Sequence, residues 1–270
     1  MMTESLYEEI IASAKVLGID IGVPELAYFA NNSNFSENDV EAVRATFSFL
    51  KDRRIEAIVN TLLKLSRLPL KDPKTFENFD FTCIHGRDVE RLTALPALSA
   101  VYAHKNLAFI GPQGVGKTHL AQAYGRACCE KGLKSYFLKA SELSQRFTEA
   151  RRFGKEGATI NFLVKPSCLI IDEVGRCVFD RENTRLFFDL VDRRYSKEGT
   201  NCMIFTSNRN PETWADFFSD DSDLKCSLDR IFDDASVFII KGDSYRGRKL
   251  ETIRLEAGGM APARGPVPTK

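Results

Sequence analysis

Gly111-Pro-Gln-Gly-Val-Gly-Lys-Thr118 fits the spacing G-x-x-x-x-G-K-[ST] of a phosphate-binding loop. Its neighbours fit the same reading. Asn106-Leu-Ala-Phe-Ile110 is a short apolar run of the kind that forms a buried strand, and it feeds straight into Gly111. From Thr118 to Lys131, the residues Leu120, Ala121, Tyr124 and Ala127 recur at helical spacing. Strand, glycine loop and helix is the arrangement that gripping a polyphosphate requires. Glycine lets main-chain N–H groups converge on the anion, and the helix start adds the positive end of its dipole. The expected nucleotide contacts are therefore Gly111, Pro112, Gln113, Gly114, Val115, Gly116, Lys117, Thr118 and His119. Lys117 is expected to reach the β- and γ-phosphates, and Thr118 to hold Mg²⁺.

Outward from the loop, apolar runs and helical stretches alternate. Strands are predicted at Leu107–Ile110, Ser135–Leu138, Cys168–Ile171, Cys202–Phe205 and Val237–Ile240, with helices near 118–131, 141–153, 182–196 and 224–232. This alternation predicts an α/β fold with a parallel sheet covered on both faces and a ligand at the C-terminal strand ends. Cys168-Leu-Ile-Ile-Asp-Glu173 ends a buried strand in two acids. Asp172 is expected to hold Mg²⁺ and Glu173 to deprotonate an attacking water. Met203-Ile-Phe-Thr-Ser-Asn208 ends a second strand in polar residues, where Asn208 either positions that water or caps the turn before Asn210-Pro211. Arg230, in Leu228-Asp-Arg-Ile-Phe232, either meets a neighbouring subunit's γ-phosphate or pairs with Asp229, Asp233 or Asp234. Arg193 and Arg194 are weaker candidates for the same duty.

The bulk composition excludes several classes. A hydrophobic content of 43% with 28% charged residues fits a globular chain of 270 residues, and a net charge of +1 does not announce a nucleic-acid binder. Any basic surface must be local. Seven scattered cysteines and three histidines lack zinc-site spacing, so free thiols and a cytoplasmic location are expected. The acidic start, with Glu4, Glu8 and Glu9, is not a signal peptide, and no apolar run reaches membrane-spanning length.

Residues 1–75 read as a small all-helical domain that meets a partner or DNA. Leu6, Ile10, Ile11, Ala14 and Leu17 stripe one short helix, and Gly18 to Asn34 reads as a break. Ser36 is placed to cap a long helix through Val40, Val43, Phe47, Leu50, Ile58, Leu62 and Leu65, with Pro69 and Pro73 expected to end it. Between Lys51 and Lys74 the basic residues outnumber the acids, which suits either a phosphate backbone or a solvated face. Residues 76–255 form the expected nucleotide domain, and 256–270, rich in Gly and Pro, the expected disordered tail.

Taken together these segments resemble the AAA+ ATPases, and within them the IstB/DnaC clade of insertion-sequence helpers and helicase loaders. The resemblance rests on Lys74-Thr-Phe-Glu-Asn-Phe-Asp80, the loop through His119, Ile171-Asp-Glu-Val-Gly175, Arg194-Tyr195, Phe205-Thr-Ser-Asn208, Leu228-Asp-Arg230 and Lys241-Gly-Asp-Ser-Tyr-Arg246. It implies a five-stranded sheet of order 5-1-4-3-2 and ATP with Mg²⁺ as the bound species. It also implies a homo-oligomer with nucleotide at its subunit interfaces, acting on double-stranded DNA. The implied partner is a transposase, or a replicative helicase in the alternative reading. An extra helical element is implied at Ser141 to Lys165, where Arg146, Arg151, Arg152, Lys155 and Lys165, set against Glu142, Glu149 and Glu156, are interleaved with Phe147, Phe153 and Phe162, either as a candidate DNA-facing surface or as an ordinary amphipathic helix whose aromatics are core. The small amount of chain after the last strand departs from AAA+ proteins that carry a full helical lid, which leaves Arg246 doubtful as a second sensor. Trp214 and the pair Phe217-Phe218 are expected to pack. A small-molecule kinase is the remaining alternative, but acids, Asn and Arg at these positions suit water as the phosphoryl acceptor.

Overall fold

The computed structural model describes residues 2–86, 88–219 and 224–242. Five strands form one parallel sheet: β1 (Leu107–Ile110), β2 (Ser135–Lys139), β3 (Cys168–Val174), β4 (Cys202–Ser207) and β5 (Ser236–Ile239). Their spatial order is β2-β3-β4-β1-β5, the order expected when read from the other edge. Register is continuous from Leu107↔Ile204 to Ile110↔Ser207 and from Leu107↔Ser236 to Ile110↔Ile239.

The central strands β1, β3 and β4 are apolar on both faces because both faces are covered, whereas edge strand β5 leaves Val237 and Ile239 exposed. Ala108, Ile110, Leu169, Ile171, Met203 and Phe205 belong to one core, while Leu107, Phe109, Cys168, Ile170, Cys202 and Ile204 belong to the other. This is the period-two alternation of a strand, with each face meeting its own layer. Helix α6 (Lys117–Glu130) covers the second core. Helices α7 (Ala140–Arg152), α8 (Glu156–Val164), α9 (Arg181–Tyr195) and α10 (Leu224–Phe232) belong to the first side. Trp214 and Phe218 are buried in that first core, as expected, with Phe217 packed against it.

The N-terminal region contains α1 (Met2–Leu17), α2 (Val23–Asn32) and α3 (Glu37–Leu65). Two expectations need correction. Gly18 to Asn34 is not simply a break: Pro24 occupies the first turn of α2, where proline favours helix because that N–H lacks a partner anyway. The long helix ends at Leu65, before either proline can act. The Ser66 hydroxyl donates to the Leu63 carbonyl at 2.7 Å, and Arg67 turns into the left-handed region (φ 63°). The start of α3 is as expected, since Ser36 and Asp39 form a reciprocal capping box.

The predicted boundary at residue 75 falls within a segment welded to the sheet. Leu68 and Phe76 are both buried in the second core, and the Phe137 N–H donates to the Ser66 carbonyl at 2.8 Å. Between that segment and β1, the short helices α4 (Val89–Thr93) and α5 (Ser99–Tyr102) supply Leu92, Ala100 and Val101 to the same core. The tail at 256–270, the domain end at 255 and Arg246 lie outside the described residues.

Candidate nucleotide site

The C-terminal ends of β1, β3 and β4 open into a cleft of about 600 Å³ beside the start of α6. Its floor is the glycine loop. Gly111 (φ 153°) and Gly116 (φ 93°) hold backbone angles that side chains rarely adopt. A Cβ on Gly111 would stand 2.1 Å from the Ile240 carbonyl oxygen, and one on Gly116 would stand 2.6 Å from the Phe79 ring. Glycine is therefore required here by close neighbours as well as by conformation. Lys117, 8% exposed, folds back so that Nζ donates to the carbonyls of Gly111 (2.9 Å) and Pro112 (2.6 Å). His119 Nε2 lies 2.8 Å from the Thr75 carbonyl, and its ring meets Phe79 edge-on. Burial, and secondarily the nearby Lys74 charge, hold its pKa below the ordinary 6.5.

The two acids owe their placement to a bulge. On strand β3 the pairing with β4 runs through Ile171↔Phe205 and resumes at Val174↔Ser207, so two residues face the single Thr206. Glu173 takes the extra turn with φ 60°. Strict alternation would send adjacent side chains to opposite faces, whereas the bulge re-aims them. The Thr206 hydroxyl fills the gap. It accepts from the Glu173 N–H at 3.0 Å and donates to Asp172 Oδ1 at 2.5 Å. Thr118 Oγ1 donates to the same Asp172 oxygen at 2.8 Å, which ties the loop helix to β3. Asp172 is only 2% exposed. The Glu173 carboxylate lies at the cleft, where Arg176 (2.9 Å) and Lys139 (3.2 Å) each pair with one of its oxygens.

Asn208 is exposed at the cleft, beyond Ser207. The Ser207 carbonyl accepts from the Gly111 N–H (3.1 Å), and its hydroxyl donates to the Val174 carbonyl (2.7 Å), so β4 laces the loop strand to the acid strand. All expected residues from Gly111 to Thr118, with His119, Asp172, Glu173 and Asn208, thus gather at one end of the sheet. Arg230 does not join them. It pairs with Asp192, and the neighbouring Ile231 carbonyl accepts from Asn106, just ahead of β1 and thus at the opposite sheet end. Arg193 pairs with Asp189 on the exposed face of α9. Arg194 is corrected outright as a finger: it is 1% exposed and donates to the carbonyls of Leu163, Val164, Pro166 and Cys202.

Sequence reasoning gave no site role to Thr206, Lys139, Arg176 or Arg209. Thr206 was visible only as a hydroxyl inside a strand, and Lys139 and Arg176 reach the site by topology rather than by motif. In the candidate DNA-facing segment, Phe147 is fully buried and belongs to the core, as the amphipathic-helix alternative has it, because the first core needs that face of α7. Phe153 is 65% and Phe162 38% exposed, with Arg152 over the first ring and Lys134 over the second.

The donor set fits a magnesium–triphosphate. Anion-binding main chain and Lys117 stand beside an oxygen cluster from Thr118 and Asp172, the hard ligands Mg²⁺ takes. Fold and cleft together define a AAA+ phosphate-loop nucleotide-binding protein.

The chain belongs to the IstB-like ATP binding protein family, whose model matches residues 24–252. A protein named for ATP binding in insertion sequence IS5376 of Geobacillus stearothermophilus is 36% identical over 191 residues, covering 71% of this chain and 74% of that one. One so named in insertion sequence IS232 of Bacillus thuringiensis is 32% identical over 207 residues, covering 77% and 81%. Among solved structures, the replication initiator DnaA bound to AMPPCP and single-stranded DNA superposes with a TM-score of 0.51 at 26% identity, covering 66% of this chain. The match spans about half of that initiator's length, 52%. Among the described residues no helix is long and apolar enough to cross a membrane.

Proposed function

We propose that this chain hydrolyses ATP, binds double-stranded DNA and, as a homo-oligomer, assists the transposase of an insertion sequence. The observation that carries the hydrolytic part is the β3 bulge, which brings Asp172 and Glu173 to the phosphate loop in different settings. Lys117 leaves its own loop carbonyls for the β- and γ-phosphate oxygens. Thr118 and Asp172 would hold Mg²⁺, which would supply neutralisation of the charge that develops on the triphosphate. Asn208 orients a water, and Glu173 takes its proton as the new O–P bond forms and ADP leaves. For that, Glu173 must give up or share its pairing with Lys139 and Arg176.

The relatives' insertion-sequence names support the transposition setting. The exposed, cation-covered aromatics Phe153 and Phe162 support DNA contact by the α7–α8 region. Arg230 acts on a neighbouring subunit's nucleotide, since its end of the sheet is remote from its own cleft. Residues 1–75 serve as the partner-facing unit and 76–255 as the ATPase unit.

ATP turnover measured against protein concentration, with and without duplex DNA, tests the proposal. Turnover per subunit should rise with concentration and with DNA. A monomer of constant turnover contradicts assembly, and retention of a replicative helicase in place of the transposase contradicts the partner.

A further inference from the structure

We propose that Arg209 is the cleft's own γ-phosphate cation, the group that lets this chain tell a nucleoside triphosphate from a diphosphate. This rests on the nucleotide reading of the cleft given above. The lining carries four cations, Lys74, Lys117, Arg176 and Arg209, against one acid, Glu173. Three of the four are engaged: Lys74 with Asp72, Lys117 with its loop carbonyls and Arg176 with Glu173. The Arg209 side chain is exposed and has no anionic partner among the described residues.

Its backbone, by contrast, is pinned on both sides. The Arg209 N–H donates to Ser207 Oγ at 3.0 Å, and that hydroxyl is itself tied to the Val174 carbonyl beside the acids. The Arg209 carbonyl accepts from Trp214 Nε1 at 3.2 Å. Trp214 is fully buried between Phe205 and Phe232. A guanidinium is thus mounted on a fixed turn between the phosphate loop and the strand bearing Asp172 and Glu173. That is the side of the cleft where the terminal phosphate belongs, because Thr118 meets Asp172 there. Arginine's planar fork matches phosphate oxygens, and the fixed backbone of residue 209 limits where that fork can reach to the cleft it lines.

The test compares binding of Mg²⁺–AMPPCP, which keeps an uncleavable γ-phosphate, with binding of Mg²⁺–ADP on the full chain. Arg209→Ala should weaken AMPPCP at least tenfold and leave ADP within twofold. Arg209→Lys should recover part of the loss, since it keeps charge but not the fork. The backbone bonds of residue 209 survive either substitution, and an unchanged melting curve verifies this. Equal weakening of both nucleotides, or weakening of neither, overturns the role of Arg209. Wild-type protein that retains neither nucleotide overturns instead the cleft reading beneath it.

Discussion

The nucleotide cleft and the N-terminal helices are built to different tolerances. In the cleft, the acid and the strand ends around it are fixed by main chain or by two partners: Asp172 by Thr118 and Thr206, Ser207 by Gly111 and Val174, and Gly111 by the Ile240 carbonyl at its back. In the N-terminal region α3 has 29 residues and α1 only 16, or about 43 Å against about 24 Å. Ile10, Leu26 and Val40, one from each of α1, α2 and α3, make a small core where the three helices meet. Beyond it Phe49, Leu50, Ile55 and Ile58 remain exposed on α3. A side-chain stripe tells which face of a helix wants cover, but not whether a neighbour is long enough to supply it. A loop specified through its backbone leaves no such slack.

Substitutions that respect one region and injure the other sharpen this contrast. The largest expected effect is Glu173→Gln, which should lower ATP turnover by roughly 10³-fold while ATP binding persists, since general-base catalysis is worth about 10²–10⁴. Single-turnover kinetics would check it, and unchanged turnover would remove Glu173 from the chemistry. Gly111→Ala comes next. Its Cβ would collide with the end of the β5 ladder, at an expected loss of roughly 2–5 kcal/mol in denaturant unfolding from overpacking and backbone strain. A loss under about 1 kcal/mol would mean the loop yields more readily than its contacts imply. Lys117→Ala should then weaken ATP by roughly 100-fold, the scale of charge-assisted hydrogen bonds, with little change in the unfolding midpoint. On the other side of the comparison, Ser36→Ala removes the cap of α3 and should destabilise the N-terminal helices by about 1 kcal/mol. Nucleotide affinity should not follow. Amide exchange confined to residues 2–65 would support the separation, and slackening of the cleft as well would break it.

How legible each region was follows the same division. All five strands were visible, because runs such as Cys168-Leu-Ile-Ile and Cys202-Met-Ile-Phe are apolar on both faces and stop at polar residues. The site residues from Gly111 to Thr118 were visible because the chemistry dictates their order. Left-handed turns at Arg67 and Glu173 were not visible, since neither residue type announces a positive φ. Without the Glu173 turn, the need for the Thr206 hydroxyl could not be seen either. The Lys139 pairing with Glu173 arises because β2 lies beside β3, a matter of sheet order that no local window contains. The two neighbours Arg193 and Arg194 look alike in sequence. Only the packing of α9 separates the exposed ion pair from the buried carbonyl anchor. In α2, glycine and asparagine around Pro24 mimicked a break, while the proline in fact opened a helix.

His119 joins the two regions, and its titration gives the smallest expected effect. It sits in the first turn of α6 yet bonds the Thr75 carbonyl of the segment arriving from α3. Burial lowers its folded pKa below 6.5, so the folded state prefers the neutral ring. The unfolded chain binds more protons as acid is added. The neutral ring's contribution is therefore whole above pH 6.5 and is lost as pH falls through that value towards the lower folded pKa. Denaturant midpoints across pH 5–8 should show a shallow decline on the acid side that His119→Gln reduces, with the ring's own titration followed by NMR. If the ring titrates at or above 6.5, the Thr75 hydrogen bond outweighs burial, and the acid-side decline does not come from His119. The two regions remain linked in any case through Leu68, Phe76, the Ser66–Phe137 hydrogen bond and the Arg67–Glu142 ion pair.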